Sequence, residues 1–281
     1  MAKHDPPPVL AEILSRKREE VERAKSEIPF PQLEAMVAQA DPPRNFFRAV
    51  TRRGSNETAV IAEIKRRSPS AGWIRPEYER EDFDPGVIAR AYADAGASAI
   101  SCLTDEPFFG GHLSFIDRVK EAVGLPVLRK DFLIDPWQLW QSRAAGADAV
   151  LLIAEVLNES TLVDMLILAQ QLRMTVLLEV HSADNLLRVR PHVGFPHPTY
   201  CLLGINNRDL ATMTTDLNHT MRLVDLVEDR TVLVSESGIR SPEDLARLRG
   251  AGVHTVLVGE HLMRHERPGE ALVALLNGPQ P

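Results

Sequence analysis

None of the motifs that announce a nucleotide, a dinucleotide or a zinc ion is found in this chain: its 281 residues contain no GxGxxG, no Walker-type loop and no HExxH. Cysteine is nearly missing. Cys102 and Cys201 are the only two, each inside an apolar run and without a CxxC partner, which excludes a disulfide framework and fits a reducing compartment. Long hydrophobic runs are also lacking, since no stretch approaches the roughly 18 apolar residues that a membrane helix needs. The opening MAKHDPPPVL carries no secretory apolar segment. Nor is there an excess of positive charge: 32 Lys and Arg against 39 Asp and Glu leave a net −7. A general nucleic-acid or anionic-membrane surface needs clustered cations, so neither partner is expected. The expectation is a soluble cytoplasmic protein that acts on a small molecule and meets any anion with local groups.

What the chain does have is repetition. Eight short aliphatic runs end in polar, reactive side chains: 59–65, 97–104, 125–132, 147–155, 174–181, 200–206, 231–237 and 254–260. Runs of this length without period-2 alternation suit parallel strands buried on both faces, and each is followed by enough chain for a crossover helix. Three of them open alike, in AGASAIS, AGADAVLLI and AGVHTVLVG, where Gly96, Gly146 or Gly252 turns the chain from helix to strand. The fold class this predicts is α/β, a (β/α)8 TIM barrel, whose active sites gather at the C-terminal strand ends.

Before the first strand, Val9–Ser26 places Val9, Leu10, Ile13, Leu14, Val21 and Ala24 near helical spacing. Pro29 and Pro31 interrupt it, a second helix is predicted over Gln32–Gln39, and Asp41-Pro42-Pro43 interrupts again; the Pro-rich residues 1–8 are expected to be loose. The domain division is therefore an N-terminal helical extension over 1–50 and a barrel over 51–281. The extension either packs on the barrel or caps its mouth. A second irregular zone, Arg190–Thr199, lies on a helix-to-strand connection, the stability side of a barrel.

The strand ends carry the candidate chemistry. Glu63 and Lys65 alternate along the first run and so point together into the barrel top. In Leu128–Phe132, alternation sends Lys130 and Phe132 to one side and Arg129 and Asp131 to the other. A lysine beside a second cation and partly desolvated is expected to have a lowered pKa, which suits a general acid. Glu179 ends the fifth run among leucines, where a carboxylate can act as base or steady a developing cation, with His181 expected to support it by hydrogen bonding. Asn206 and Arg208 end the sixth; Arg208 can hold a carboxylate bidentately, while Asn207 and Asp209 read as turn-makers. Ser237, Gly238, Gly259 and Glu260 end the last two runs, where barrels often bind phosphate through backbone N–H groups. Glu260 is expected to turn its carboxylate away from such an anion. His261 and His265 lack a third ligand, so no metal is expected, and Trp137 and Trp140 read as helix-to-barrel packing.

Taken together, EIKRRSPSAG, LTDEPFFGG, PVLRKDFLID, AGADAVLLI, LLEVH, GINNRDL, SESGI and VLVGEHLM, in that order, closely resemble the indole-3-glycerol phosphate synthase family, over about residues 9 to 275. The resemblance implies a (β/α)8 barrel with an N-terminal helical segment. It implies closure of the indole ring of 1-(2-carboxyphenylamino)-1-deoxyribulose 5-phosphate in tryptophan biosynthesis, with release of carbon dioxide and water and with no cofactor or metal. It further implies Lys130 as general acid, Glu179 as general base of the dehydration, and Lys65 paired with Glu63 as an aid to proton transfer. Asn206 and Arg208 would hold the anthranilate end, Ser68 the neighbourhood of its carboxylate, and Phe109 and Phe132 its ring. Ser237, Gly238, Leu257, Gly259 and the Glu260 backbone would surround the phosphate. The stretch before the sixth strand is longer than the family usually has, and no isomerase domain follows, so a single-function form is expected; no partner enzyme is indicated. Two other readings of the residues stay open: another phosphate-binding barrel enzyme, such as a phosphoribosylanthranilate isomerase or a Schiff-base aldolase using Lys65 or Lys130, and a non-catalytic scaffold. The presence of Lys130, Glu179, Lys65, Glu63 and Asn206 together speaks against the scaffold.

Overall fold

The structure, a computed structural model, describes residues 7–51, 57–209 and 211–278. Eight parallel strands close into a barrel: β1 (Ala59–Ile64), β2 (Ala99–Leu103), β3 (Val127–Lys130), β4 (Ala149–Ile153), β5 (Thr175–Val180), β6 (Cys201–Asn206), β7 (Leu233–Glu236) and β8 (Thr255–Val258). Each lies inside its predicted run. Closure is made by β1, which pairs Ile61 with Ala99 on β2 and Ala59 with Thr255 on β8. Gly96, Gly146 and Gly252 have φ of +91°, +85° and +81°, the left-handed turn expected between helix and strand.

Strand parity sorts the side chains into two cores. Ile61, Ala99, Leu128, Leu151, Leu177, Leu202, Val234 and Leu257 fill the barrel interior, while Val60, Ile100, Val127, Val150, Val176, Leu203, Leu233 and Val256 pack under the surrounding helices. Every second residue along a strand thus points to the axis. Carried to the C-terminal ends, the inward set is Glu63 and Lys65, Leu103, Lys130, Ile153, Glu179, Asn206, Glu236 and Gly259. All of them line one pocket.

The N-terminal extension is divided among three places. Helix α1 (Pro8–Glu27) buries its apolar stripe of Leu10, Ile13, Leu14 and Val21 and reaches the ends of β2 and β3 through the buried Lys17. Helix α2 (Phe30–Gln39) runs against the helix Pro136–Ala144, where Phe30 meets Trp140 edge-on at 5.2 Å. It begins two residues before the predicted Gln32, because Pro29 is its N-cap and Pro31 sits in its first turn, where the missing N–H costs nothing. Helix α3 (Phe46–Thr51) plugs the opposite end of the barrel: Phe46 and Val50 join the interior core, and Thr255 Oγ1 donates to Val50 O at 2.9 Å. Of the start expected to be loose, residues 1–6 lie outside the described residues, whereas Pro7 is the N-cap of α1 and Pro8 its first residue; the expected division at 50/51 falls in α3, just before 52–56, which also lie outside the described residues. Val193, in the irregular 190–199 stretch, packs against both the interior core and the core under the helices. Cys102 and Cys201 are buried free thiols, and burial pushes both up to about 12. Among the described residues no helix is long and apolar enough to cross a membrane.

Candidate active site

A cavity of about 450 Å³ opens at the C-terminal strand ends, floored by Leu151 and Ile153. Two lysine–carboxylate pairs face into it. Lys65 Nζ lies 2.8 Å from Glu63 Oε1, and Lys130 Nζ lies 2.9 Å from Glu179 Oε2. Phe109 and Phe132 form an aromatic wall, their ring centroids 6.1 Å apart. Of the residues predicted for the site, Glu63, Lys65, Phe109, Lys130, Phe132, Glu179, Asn206, Arg208, Ser237, Gly238, Leu257, Gly259 and Glu260 all line this cavity. Ser68 does not: it is buried in the loop after β1, where its Oγ accepts from Ala71 N at 3.2 Å.

One residue at the centre was not anticipated. Glu236, the last residue of β7, is 1% exposed, and its Oε2 lies 3.4 Å from Lys130 Nζ. It shares the inward parity of Val234, the signal that could have found it. Room for these acids is made by glycine on the neighbouring strands. A methyl group at Gly204 would collide with the Glu236 carboxylate, and one at Gly259 with that of Glu63.

The charge state departs from expectation at Lys130. Arg129 does not face it, because parity turns that guanidinium outward to Asp131, at 2.8 Å, and to Thr104 Oγ1, at 3.1 Å. Burial alone would lower the Lys130 pKa, but Glu179, Glu236 and Glu63 outweigh it and raise the value, so the predicted lowering is corrected. Glu179 is also pulled up by burial, yet Lys130 and His181 hold it down at about 2. Glu236 has burial and the Glu179 charge both pushing it up, far above an ordinary carboxylic acid. Burial and the Glu179 charge thus both disfavour ionisation of Glu236, while Lys130 favours ionisation of Glu179 beside it.

Other predicted groups take defined places. Asn207 is more than a turn-maker, since its Nδ2 donates to Ser235 Oγ, Glu236 O and Ser237 O, tying β6 to β7. Asp209 does make a turn, accepting from Ala211 N and Thr212 N. The Glu260 carboxylate is held by Arg208 at 2.8 Å and by Arg264 at 2.8 Å, so its charge is neutralised at the rim rather than bare. Ser237 and Gly238 have φ of +67° and +81°; the serine is strained in that left-handed region and the glycine is not, and the two turn the chain at the β7 end beside the cavity. Ser237 N is engaged to Leu257 O at 3.3 Å, which leaves the hydroxyl as that residue's free donor. Arg240 and Arg264, also not anticipated, add cationic side chains beside the glycines.

Inward lysine–carboxylate pairs, a water-poor floor and a polar, glycine-rich end define an acid–base enzyme built on a (β/α)8 barrel. Comparison with known proteins narrows the class. The family model described as indole-3-glycerol phosphate synthase matches residues 10–275. Curated proteins of that name are 46% identical over 265 residues in Acidithiobacillus ferrooxidans, covering 94% of this chain and 97% of the relative. In Rhodospirillum rubrum the figures are 44% over 269 residues, with 95% and 98% covered. The chain belongs to the indole-3-glycerol phosphate synthase family. Among solved structures, a 3-hexulose-6-phosphate synthase matches with a TM-score of 0.58 at 16% identity, covering 79% of this chain and 100% of that one. A (S)-3-O-geranylgeranylglyceryl phosphate synthase from Thermoplasma acidophilum matches with 0.53 at 16%, covering 83% and 96%. At that identity these two speak for the barrel alone.

Proposed function

We propose that the cavity closes the indole ring of 1-(2-carboxyphenylamino)-1-deoxyribulose 5-phosphate, with Lys130 as general acid and Glu179 as general base. Family membership makes the chain a decarboxylating carbon–carbon lyase of tryptophan biosynthesis, acting on a phosphorylated small molecule. The observation that carries the residue assignment is the pairing of Lys130 with Glu179 and of Lys65 with Glu63 at the wall of one cavity, next to the aromatic pair. The anthranilate ring lies against Phe109 and Phe132, its carboxylate toward Arg208 and Asn206. The phosphate lies toward Ser237, Gly238 and Gly259, with Leu257 beneath it. Holding both ends bends the chain so that the aryl carbon approaches the keto carbon, and this positioning supplies much of the rate.

Lys130 then protonates the keto oxygen as the new C–C bond forms, and carbon dioxide leaves from the aryl carbon. In the dehydration that follows, Glu179 takes the proton that restores aromaticity, while the Glu63–Lys65 pair assists departure of the hydroxyl. The raised pKa of Lys130 bears on the alternatives. A Schiff-base aldolase needs a neutral amine, whereas the carboxylates here keep Lys130 charged. We further propose that residues 1–50 form an extension whose first helix steadies the mouth, that 51–281 form the catalytic barrel, and that the buried thiols fit a cytoplasmic setting. The test is direct: indole absorbance and fluorescence appear when the protein meets this substrate, and borohydride traps no adduct. A trapped imine, or no indole product, overturns the assignment.

A further inference from the structure

The proposed reaction has a proton requirement that the two ion pairs do not meet by themselves. The substrate enters with an ionised carboxylate and that carbon leaves as neutral carbon dioxide, so each turnover consumes one proton. Within the dehydration one proton is given to the leaving hydroxyl and one is taken from the ring, which cancel. The net proton is the one Lys130 hands to the keto oxygen. It must be replaced at a lysine that is only 13% exposed.

His181 lies behind that pair. It follows Glu179 by two positions on the strand-end segment, its side chain is 9% exposed, and its Nε2 lies 3.4 Å from Glu179 Oε1 with no hydrogen-bond partner among the described residues. The other side of the ring is fixed. Glu155, in the turn after β4, accepts the His181 backbone N–H at 2.8 Å on one oxygen and faces Nδ1 at 3.2 Å with the other. A carboxylate can only accept, so Nδ1 carries a proton and Nε2 is the nitrogen that gains or loses one. We propose that His181 is the proton reserve of this site: its Nε2–H passes to Glu179 Oε1, and Glu179 returns a proton to Lys130 Nζ, once per turnover. The proton Glu179 takes from the ring and the one the Glu63–Lys65 pair gives to the hydroxyl offset each other, and both groups return to their resting charge when the product leaves. The imidazolium becomes a neutral Nδ1–H imidazole, Lys130 regains its charge, and Nε2, itself out of solvent contact, is reloaded through Glu179, which lines the cavity, once the product has left.

The surroundings favour a charged ring. Burial opposes it, but the Glu155 hydrogen bond and the Glu179 and Glu155 charges prevail over Lys130, and the His181 pKa stands above its ordinary 6.5. His219 and Asp209 on the β6 side also feel its charge. The inference rests on Glu179 being the base of the reaction, and the test separates the two. Steady-state kcat is measured with the carboxyphenylamino-deoxyribulose phosphate between pH 6 and 9 for the wild type, His181→Asn, Glu155→Gln and Glu179→Gln. In the wild type kcat falls as pH rises through the His181 pKa. His181→Asn should lower kcat about tenfold or more at neutral pH, leave KM nearly unchanged and abolish that limb. Glu155→Gln should keep the limb but move it to lower pH, because the carboxylate holding the ring charged is gone. If His181→Asn keeps both its kcat and the limb, or Glu155→Gln leaves the limb in place, the reserve does not exist. If instead Glu179→Gln is fully active, the underlying assignment of Glu179 has failed.

Discussion

Replacing Lys17 with methionine should destabilise the protein strongly. The side chain is 6% exposed on α1, and its Nζ lies 2.9 Å from Asp105 Oδ2, 2.9 Å from Asp131 Oδ1 and 2.8 Å from Glu20 Oε2. Methionine keeps the length and removes the charge. Asp131 would still be held by Arg129 and Thr104, but Asp105 would keep only the Phe108 N–H, at 2.9 Å. One buried carboxylate is thus left without a counter-charge, and breaking a buried pair from one side costs about 3–5 kcal/mol. The pH dependence identifies the cause. Burial already raises the Asp105 pKa above 3.8, against the pull of Lys17, and loss of that lysine raises it further. A group with a raised folded pKa adds stability at low pH that is lost as pH rises through that value. The deficit of Lys17→Met should therefore be largest near pH 8 and shrink toward pH 5, and adding Asp105→Asn should recover part of it at pH 8. Urea unfolding of the three proteins at both pH values measures this. A deficit below about 1 kcal/mol, the range of exposed pairs, or one independent of pH refutes the reasoning.

Three further outcomes are expected. Lys130→Ala should lower kcat by about 10²-fold or more with KM less affected, the usual range for a general acid; near-full turnover between pH 6 and 9 removes the assignment. Gly259→Ala drives a methyl into the Glu63 carboxylate and should disturb the Glu63–Lys65 pair, so kcat should drop by at least about tenfold while the barrel still unfolds cooperatively; unchanged kinetics would show that this pair is dispensable. Glu260→Gln keeps the backbone and leaves an amide for Arg208 and Arg264, so affinity for inorganic phosphate should change by less than about tenfold, or ~1.4 kcal/mol, in a competition assay; a larger gain would put that carboxylate against the ligand.

The barrel was legible because its signals are local and repeated: eight aliphatic runs and three Ala-Gly turns specify strands whose partners follow from closure. The extension was less so. A buried lysine in the stripe Leu10, Ile13, Leu14, Lys17 and Val21 sits at helical spacing, but charge reads as solvent until its partners, Asp105 and Asp131, arrive from strand ends about a hundred residues away. Phe46 and Val50 escaped notice for a similar reason, since six residues are too few for a periodic signal. Glu236 was hidden by its neighbours. Read as part of a Ser-Glu-Ser-Gly phosphate loop it looks like a spacer, whereas the inward step from Val234 makes it the third acid of the centre.

The same parity explains why the expected pKa of Lys130 had the wrong sign. Alternation had already sent Arg129 to the side opposite Lys130, so that cation could not lower the lysine's pKa; it belongs to the outer network with Asp131, Thr104 and Lys17. What faces Lys130 comes from strands far away in sequence, Glu63, Glu179 and Glu236, and all are acids. A lysine so held is a reluctant acid at rest. It becomes a stronger acid if a carboxylate beside it loses charge, and Glu179, at 2.9 Å, is in direct contact with it. Acid strength at Lys130 and base occupancy at Glu179 are then one coupled quantity, and changing either residue alone should alter the apparent pKa of the other.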